Sequence, residues 1–145
     1  MFTERRGLSR KFRAAGGESG KERGERRVTV LEEAGVSWRI YQDPVDNWGG
    51  LLAPWESFEQ YQTALPGEPL YDNAMRKWTL DDLRAHVQSD TLPQVSWIVP
   101  SRNWSEHPSA SSPLQGASFT QQVLEALIAN PEVWSKTVFI ITFDE

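Results

Sequence analysis

Cysteine is absent from the 145 residues, which removes disulfides, zinc-thiolate sites and a cysteine nucleophile. Redox compartment stays open, because a cysteine-free chain is stable on either side of a membrane. No apolar run approaches the roughly 20 residues of a spanning helix. A phosphate-cradling glycine motif and a G-x-S-x-G elbow are also missing. Arg5-Arg6 is followed by no apolar stretch, so a twin-arginine export signal is rejected. Histidine occurs twice, at His86 and His107. Tryptophan, by contrast, occurs seven times, and its rings serve packing as well as sites for sugars, bases and quaternary amines.

Charge divides the chain. Residues 1–27 carry nine Lys or Arg against four Glu, a balance of +5, and residues 28–145 carry six against sixteen, a balance of −10. The acidic body argues against a nucleic-acid surface, which needs clustered Lys and Arg. The first 27 residues are rich in Gly, Arg, Glu and Ser and have too little apolar surface to offset ordering entropy. They are expected to be a disordered basic tail, read either as an interaction tail or, in preference, as a stretch not native to the fold, ahead of a domain over 28–145.

Within that domain the spacing predicts a helical piece over 28–34 capped by Gly35, then a strand in which Val36, Trp38 and Ile40 alternate with polar neighbours. A Gly-rich loop and a short helix over 55–65 follow. Thr79 and Asp82 form a capping box for a helix with Leu80, Leu83 and Val87 on its apolar stripe. His86 on that helix reads as a solvated surface residue. Residues 95–99 read as a buried strand closed by Pro100. A long Ser/Pro/Asn loop over 101–116 carries Trp104, Glu106 and His107; loops of that length inside a domain are usually functional or disordered. Ser118 and Gln121 predict the start of a helix whose stripe is Phe119, Val123, Leu124, Leu127 and Ile128, ended by Asn130-Pro131.

The last stretch, residues 137–145, holds the apolar run Val138, Phe139, Ile140 and Ile141 followed by Asp144 and Glu145. It reads as a parallel strand buried on both faces, with two carboxylates at its end. In open α/β sheets ligands bind outside the carboxyl ends of strands, and adjacent carboxylates there suit a hard or borderline divalent cation. Strand, loop, helix and strand between 95 and 143 make a βαβ unit, which brings Glu106 and His107 toward Asp144 and Glu145. One imidazole and three carboxylates form part of a metal site for hydrolysis or phosphoryl transfer. Water-facing polar groups at a strand end and an exposed loop histidine are the plainer reading of the same residues.

Four linked segments carry a resemblance. Gly35-Val-Ser-Trp-Arg-Ile-Tyr-Gln42, Leu92-Pro-Gln-Val-Ser-Trp-Ile-Val-Pro100, Ser105-Glu-His-Pro-Ser-Ala-Ser-Ser-Pro-Leu-Gln-Gly116 and Val138-Phe-Ile-Ile-Thr-Phe-Asp-Glu145 stand in this order. Together they resemble the bacterial phosphocholine-preferring phospholipase C family, in the phosphoesterase group of the alkaline-phosphatase-like superfamily. The resemblance implies a three-layer α/β/α fold, here an incomplete sheet. It implies hydrolysis of the phosphodiester of phosphatidylcholine or sphingomyelin to release phosphocholine, by attack of an enzyme hydroxyl at a metal site and then hydrolysis by water. Asp144 and Glu145 match the family's metal-binding acidic pair, and Glu106 and His107 match its active-site positions beside the phosphate. The partner implied is a phospholipid with a choline head group, the cofactor a divalent metal ion, and the location secreted or periplasmic. The family's nucleophile and first metal ligands precede the matched region and its sequence continues beyond the acidic pair. The chain is therefore expected to be a central fragment, inactive alone, with a non-catalytic phosphocholine- or lipid-binding remnant as the alternative. Trp48, Trp55, Tyr71 and Trp104 carry two readings, a cage for the choline ammonium and ordinary packing.

Overall fold

A computed structural model describes residues 30–43, 46, 61 and 63–142. The basic tail over 1–27, Trp48, Trp55, nearly all of the helix expected over 55–65, and Asp144 and Glu145 lie outside the described residues.

Two strands, β1 (Trp38–Tyr41) and β2 (Val95–Ile98), pair in parallel with Trp38 opposite Val95 and Tyr41 opposite Ile98. Side chains alternate across a strand, and each face of this pair has its own cluster. Trp38, Ile40, Val95 and Trp97 face Tyr61, Ala74, Leu31 and Leu70. Tyr41 and Ile98 face the helices. The alternation predicted one apolar and one polar face for β1; Tyr41 is fully buried and Arg39 half-buried, because helices cover the second face too. Covering both faces is the usual condition of a parallel sheet.

The crossover between the strands contains α1 (Leu80–Gln88). It starts as the sequence predicts. The Thr79 hydroxyl accepts from the Asp82 N–H and the Asp82 carboxylate accepts from the Thr79 N–H. Burial alone would raise the Asp82 pKa, but the Thr79 hydrogen bonds outweigh it and hold the carboxyl below its ordinary value. At the other end Asp90 takes φ 54°, and the Thr91 N–H bonds to the His86 carbonyl at 2.9 Å, the closure of a Schellman turn. Gly35, at φ 67°, closes the turn over residues 30–33 in the same way, with the Val36 N–H on the Leu31 carbonyl.

Leu83 and Val87 are fully buried against Val123, Ala126 and Leu127 of α2 (Pro113–Ile128). This helix begins five residues before the expected Ser118, with Ser112 as its N-cap and Pro113 in the first turn. Proline is preorganised there, since its missing N–H has no helical acceptor to lose. The stripe is narrower than expected, with Leu124 and Ile128 exposed. Asn130 does not merely end α2. Its side chain caps α3 (Pro131–Trp134) and donates to the Val87 carbonyl at 2.9 Å.

The βαβ unit is thus β1–α1–β2, not the one expected between 95 and 143. Residues 137–142 form no ladder among the described residues, and Val138 and Ile140 are 84% and 73% exposed. Phe139 alone of that run packs against the core. An apolar run specifies burial only where a neighbouring strand or helix meets it, and Val138, Ile140 and Ile141 stay exposed. The arrangement is of the α/β class, with α1, α2 and α3 on one face of the sheet and the turns over 30–33 and Tyr71–Met75 on the other.

Candidate active site

Both strands point their carboxyl ends at the same edge. A cleft of about 240 Å³ opens there, lined by Tyr41, Gln42, Lys77, Trp78, Trp104 and Phe119 among others. Lys77 and Asp43 form an ion pair at its rim. Gln42 is 2% exposed. Its Nε2 donates to the Ala74 carbonyl at 2.7 Å, while its Oε1 has no hydrogen-bond partner among the described residues. The Gln42 carbonyl accepts from the Trp78 N–H at 3.0 Å, so the end of β1 holds Trp78 in the cleft wall.

Beneath the cleft lies a cluster that sequence reasoning missed. The Tyr41 hydroxyl is 2.8 Å from His86 Nδ1, and Arg39 Nη1 lies 3.1 Å from His86 Nε2. The same Nη1 is 3.4 Å from Nδ1, so the guanidinium lies against the ring, close to both of its nitrogens. The Arg39 guanidinium also lies 3.9 Å from the centre of the Trp78 ring, with Arg76 at 4.4 Å. Burial lowers the His86 pKa, the Arg39 charge lowers it further, and Asp82 opposes them. Burial likewise pushes Tyr41 up to about 12, against the opposing pull of Arg39. His86 is thus half-buried and held by Arg39 and Tyr41, where the sequence reads it as a solvated surface residue. A signal was available. It falls three residues after Leu83 on the buried side of α1, and Arg39 and Tyr41 share one face of β1.

The loop after β2 is shorter than expected and highly organised. A 3-10 turn (Arg102–Trp104) brings Trp104 into the cleft wall. Glu106 follows with φ 65°, a conformation disfavoured for a side chain of its size. Its N–H donates to the Ser111 hydroxyl at 2.6 Å. Its carboxylate rests on the backbone of α2 at Gly116, in the space a methyl group there would occupy. The His107 N–H donates to the Ser105 hydroxyl, and its carbonyl accepts from the N–H groups of Ala110 and Ser111, both at 2.9 Å. The Ser109 N–H donates to His107 Nδ1 at 3.3 Å. Nδ1 is therefore an acceptor, and the neutral ring presents Nε2–H as a donor.

Glu106 and His107 thus stand on one braced turn at the carboxyl end of β2, and neither lines the cleft itself. Their expected companions, Asp144 and Glu145, lie outside the described residues. Among the described residues no group of three or more His, Cys, Asp or Glu stands ready to hold a metal. As a donor set, the two adjacent carboxylates suit a hard divalent cation as part of its shell. Of the four aromatics considered for an ammonium cage, Trp104 lines the cleft, Tyr71 does not, and Trp48 and Trp55 lie outside the described residues. No described helix is long and apolar enough to cross a membrane.

Residues 18–145 match the model of the phosphoesterase family. The chain belongs to that family. It is similar to the non-hemolytic phospholipase C of Pseudomonas aeruginosa, 50% identical over 79% of this chain and 16% of the relative. It is also similar to the non-hemolytic phospholipase C of Burkholderia pseudomallei, 42% identical over 80% of this chain and 20% of the relative. Phospholipase C A of Mycobacterium tuberculosis is 37% identical over 79% of this chain and 22% of the relative. The chain spans about a fifth of the length of these curated relatives.

Proposed function

We propose that this chain carries the phosphate-contacting loop and the acidic pair of a phospholipase C-type phosphoesterase that cleaves the phosphodiester of phosphatidylcholine or sphingomyelin, in an alkaline-phosphatase-like fold. The observation that carries the reading is the braced turn of Glu106 and His107 at the carboxyl end of β2, beside an aromatic-walled cleft, in a chain that belongs to the phosphoesterase family. The Nε2–H of His107 donates to a phosphoryl oxygen or to the leaving oxygen, and Glu106 holds the turn that aims it. Fixed donors of this kind act on charge that grows in the transition state. Trp104 in the cleft wall offers a ring suited to a quaternary ammonium, whereas the Trp78 ring is already taken by Arg39 and Arg76. Asp144 and Glu145 would hold a divalent cation, which supplies further stabilisation of phosphoryl charge.

In this reading the chain alone does not turn over substrate, since it spans only about a fifth of the length of its phospholipase C relatives. A chromogenic phosphocholine ester incubated with the purified chain and a divalent cation tests this. Turnover that disappears in His107→Ala would overturn the inactivity while supporting the assignment of His107. Phosphocholine binding that is unchanged in Asp144→Ala would favour a non-catalytic binding remnant.

A further inference from the structure

Two residues that each break a local preference sit against one another. Glu106 holds φ 65°, which favours glycine, asparagine or aspartate over a long side chain. Gly116 stands inside the first turns of α2, where alanine would favour the helix more. A methyl on residue 116 would fall on the Cγ, Cδ and Oε1 atoms of Glu106. Strain retained at one point and a weak helix former retained at its contact are accounted for together if the contact itself matters. The brace is specific. The Glu106 N–H is held by Ser111, one residue before the α2 N-cap, so backbone and carboxylate are anchored to the same helix end. His107 follows directly on this anchored residue, and its Nδ1 meets the Ser109 N–H and hydroxyl.

We propose that Gly116 is a positioning residue. Its missing side chain forms a notch in α2 that seats the Glu106 carboxylate and thereby sets the orientation of the His107 ring. This rests on the reading of Glu106 and His107 as the phosphate-side pair, and it deepens that reading by adding a residue with no polar group of its own. It also accounts for the early start of α2. The five residues from Pro113 to Ala117 carry the helix backward to the point where the notch meets the loop.

The chain's two histidines allow a direct test, because His86 reports on the core beneath the cleft and His107 on the loop. Imidazole resonances are recorded for the wild type, Gly116→Ala, Glu106→Gln and the double variant Gly116→Ala/Glu106→Asp. Aspartate is shorter by one methylene and better suited to the backbone at 106. Gly116→Ala is expected to shift the His107 resonances while those of His86 stay in place. The double variant returns His107 toward its wild-type position, and Glu106→Gln, which keeps the shape, leaves it there. In parallel, phosphocholine affinity falls at least tenfold in Gly116→Ala and recovers in the double variant. A His107 signal that ignores Gly116→Ala overturns the proposal, as does one that moves together with His86. If the wild type binds no phosphocholine but the His107 signal moves and is rescued as described, the positioning role stands and the phosphate reading fails.

Discussion

The Tyr41 hydroxyl and His86 Nδ1 lie 2.8 Å apart, joining the end of β1 to the last turn of α1 beneath the cleft. Arg39 Nη1 lies 3.1 Å from Nε2 and 3.4 Å from Nδ1, so its charge stands against the ring and disfavours the protonated form. A second proton would face the guanidinium. Burial, the Arg39 charge and this geometry act in one direction, with Asp82 opposing.

Stability is therefore expected to depend on pH through His86. The unfolded chain takes up a proton near pH 6.5, the ordinary value for histidine, whereas the folded chain resists it. The contribution is complete above that value and is lost as pH falls through it toward the folded pKa. Thermal melts between pH 7.5 and 5.5 should show a declining midpoint in the wild type and a flatter profile in His86→Gln. Equal slopes would show that the ring is not held neutral.

Thr79→Ala removes the hydroxyl that caps α1. Loss of such a cap costs about 1 kcal/mol, and the effect should be seen as a lower denaturant midpoint at unchanged slope. Thr79→Ser keeps a capping hydroxyl and should retain nearly all of the wild-type stability.

Leu83→Ala tests the core. The side chain is fully buried between β1 and α2, so its truncation should cost roughly 2–5 kcal/mol. In a chain of this size that is a large share of the total. Ile140→Ser, by contrast, alters a residue that is largely exposed. It should stay within about 0.5 kcal/mol of the wild type while reducing self-association, since exposed apolar runs promote pairing with other chains. Equal costs for the two variants would place residues 137–142 in the core after all.

These contrasts show where sequence was a sufficient guide. The pairing of Thr79 with Asp82, the stripe through Leu83 and Val87, and the presence of both short strands follow from local periodicity and capping, and the structure bears them out, although β2, expected to be buried, is only half-buried along its length. The start of α2 was misplaced because two N-terminal signals compete within seven residues, Ser112-Pro113 and Ser118 with Gln121. Proline at the first helical position decided for the earlier. The strand expected over 137–143 failed for a different reason. Burial of Val138, Ile140 and Ile141 depends on a partner element, which no local pattern encodes. The His86 cluster was hidden for a third reason, since a lone histidine on a helix is informative only when the facing strand is known to present Arg39 and Tyr41. Of the candidate site, the order of Glu106 and His107 after β2 was legible, but the left-handed turn and its seat on Gly116 were not, because both are contacts across the loop.

The braced turn of Glu106 and His107 is proposed as the phosphate-side part of a phospholipase C-type site. Calorimetric titration of phosphocholine into the purified chain, with and without magnesium or zinc, tests this most directly when repeated with His107→Ala and Asp144→Ala. The expected result is saturable binding that is strengthened by the cation, weakened by each substitution, and no longer cation-dependent in Asp144→Ala. Binding that is identical in wild type and His107→Ala, or absent from the wild type under all these conditions, would contradict it.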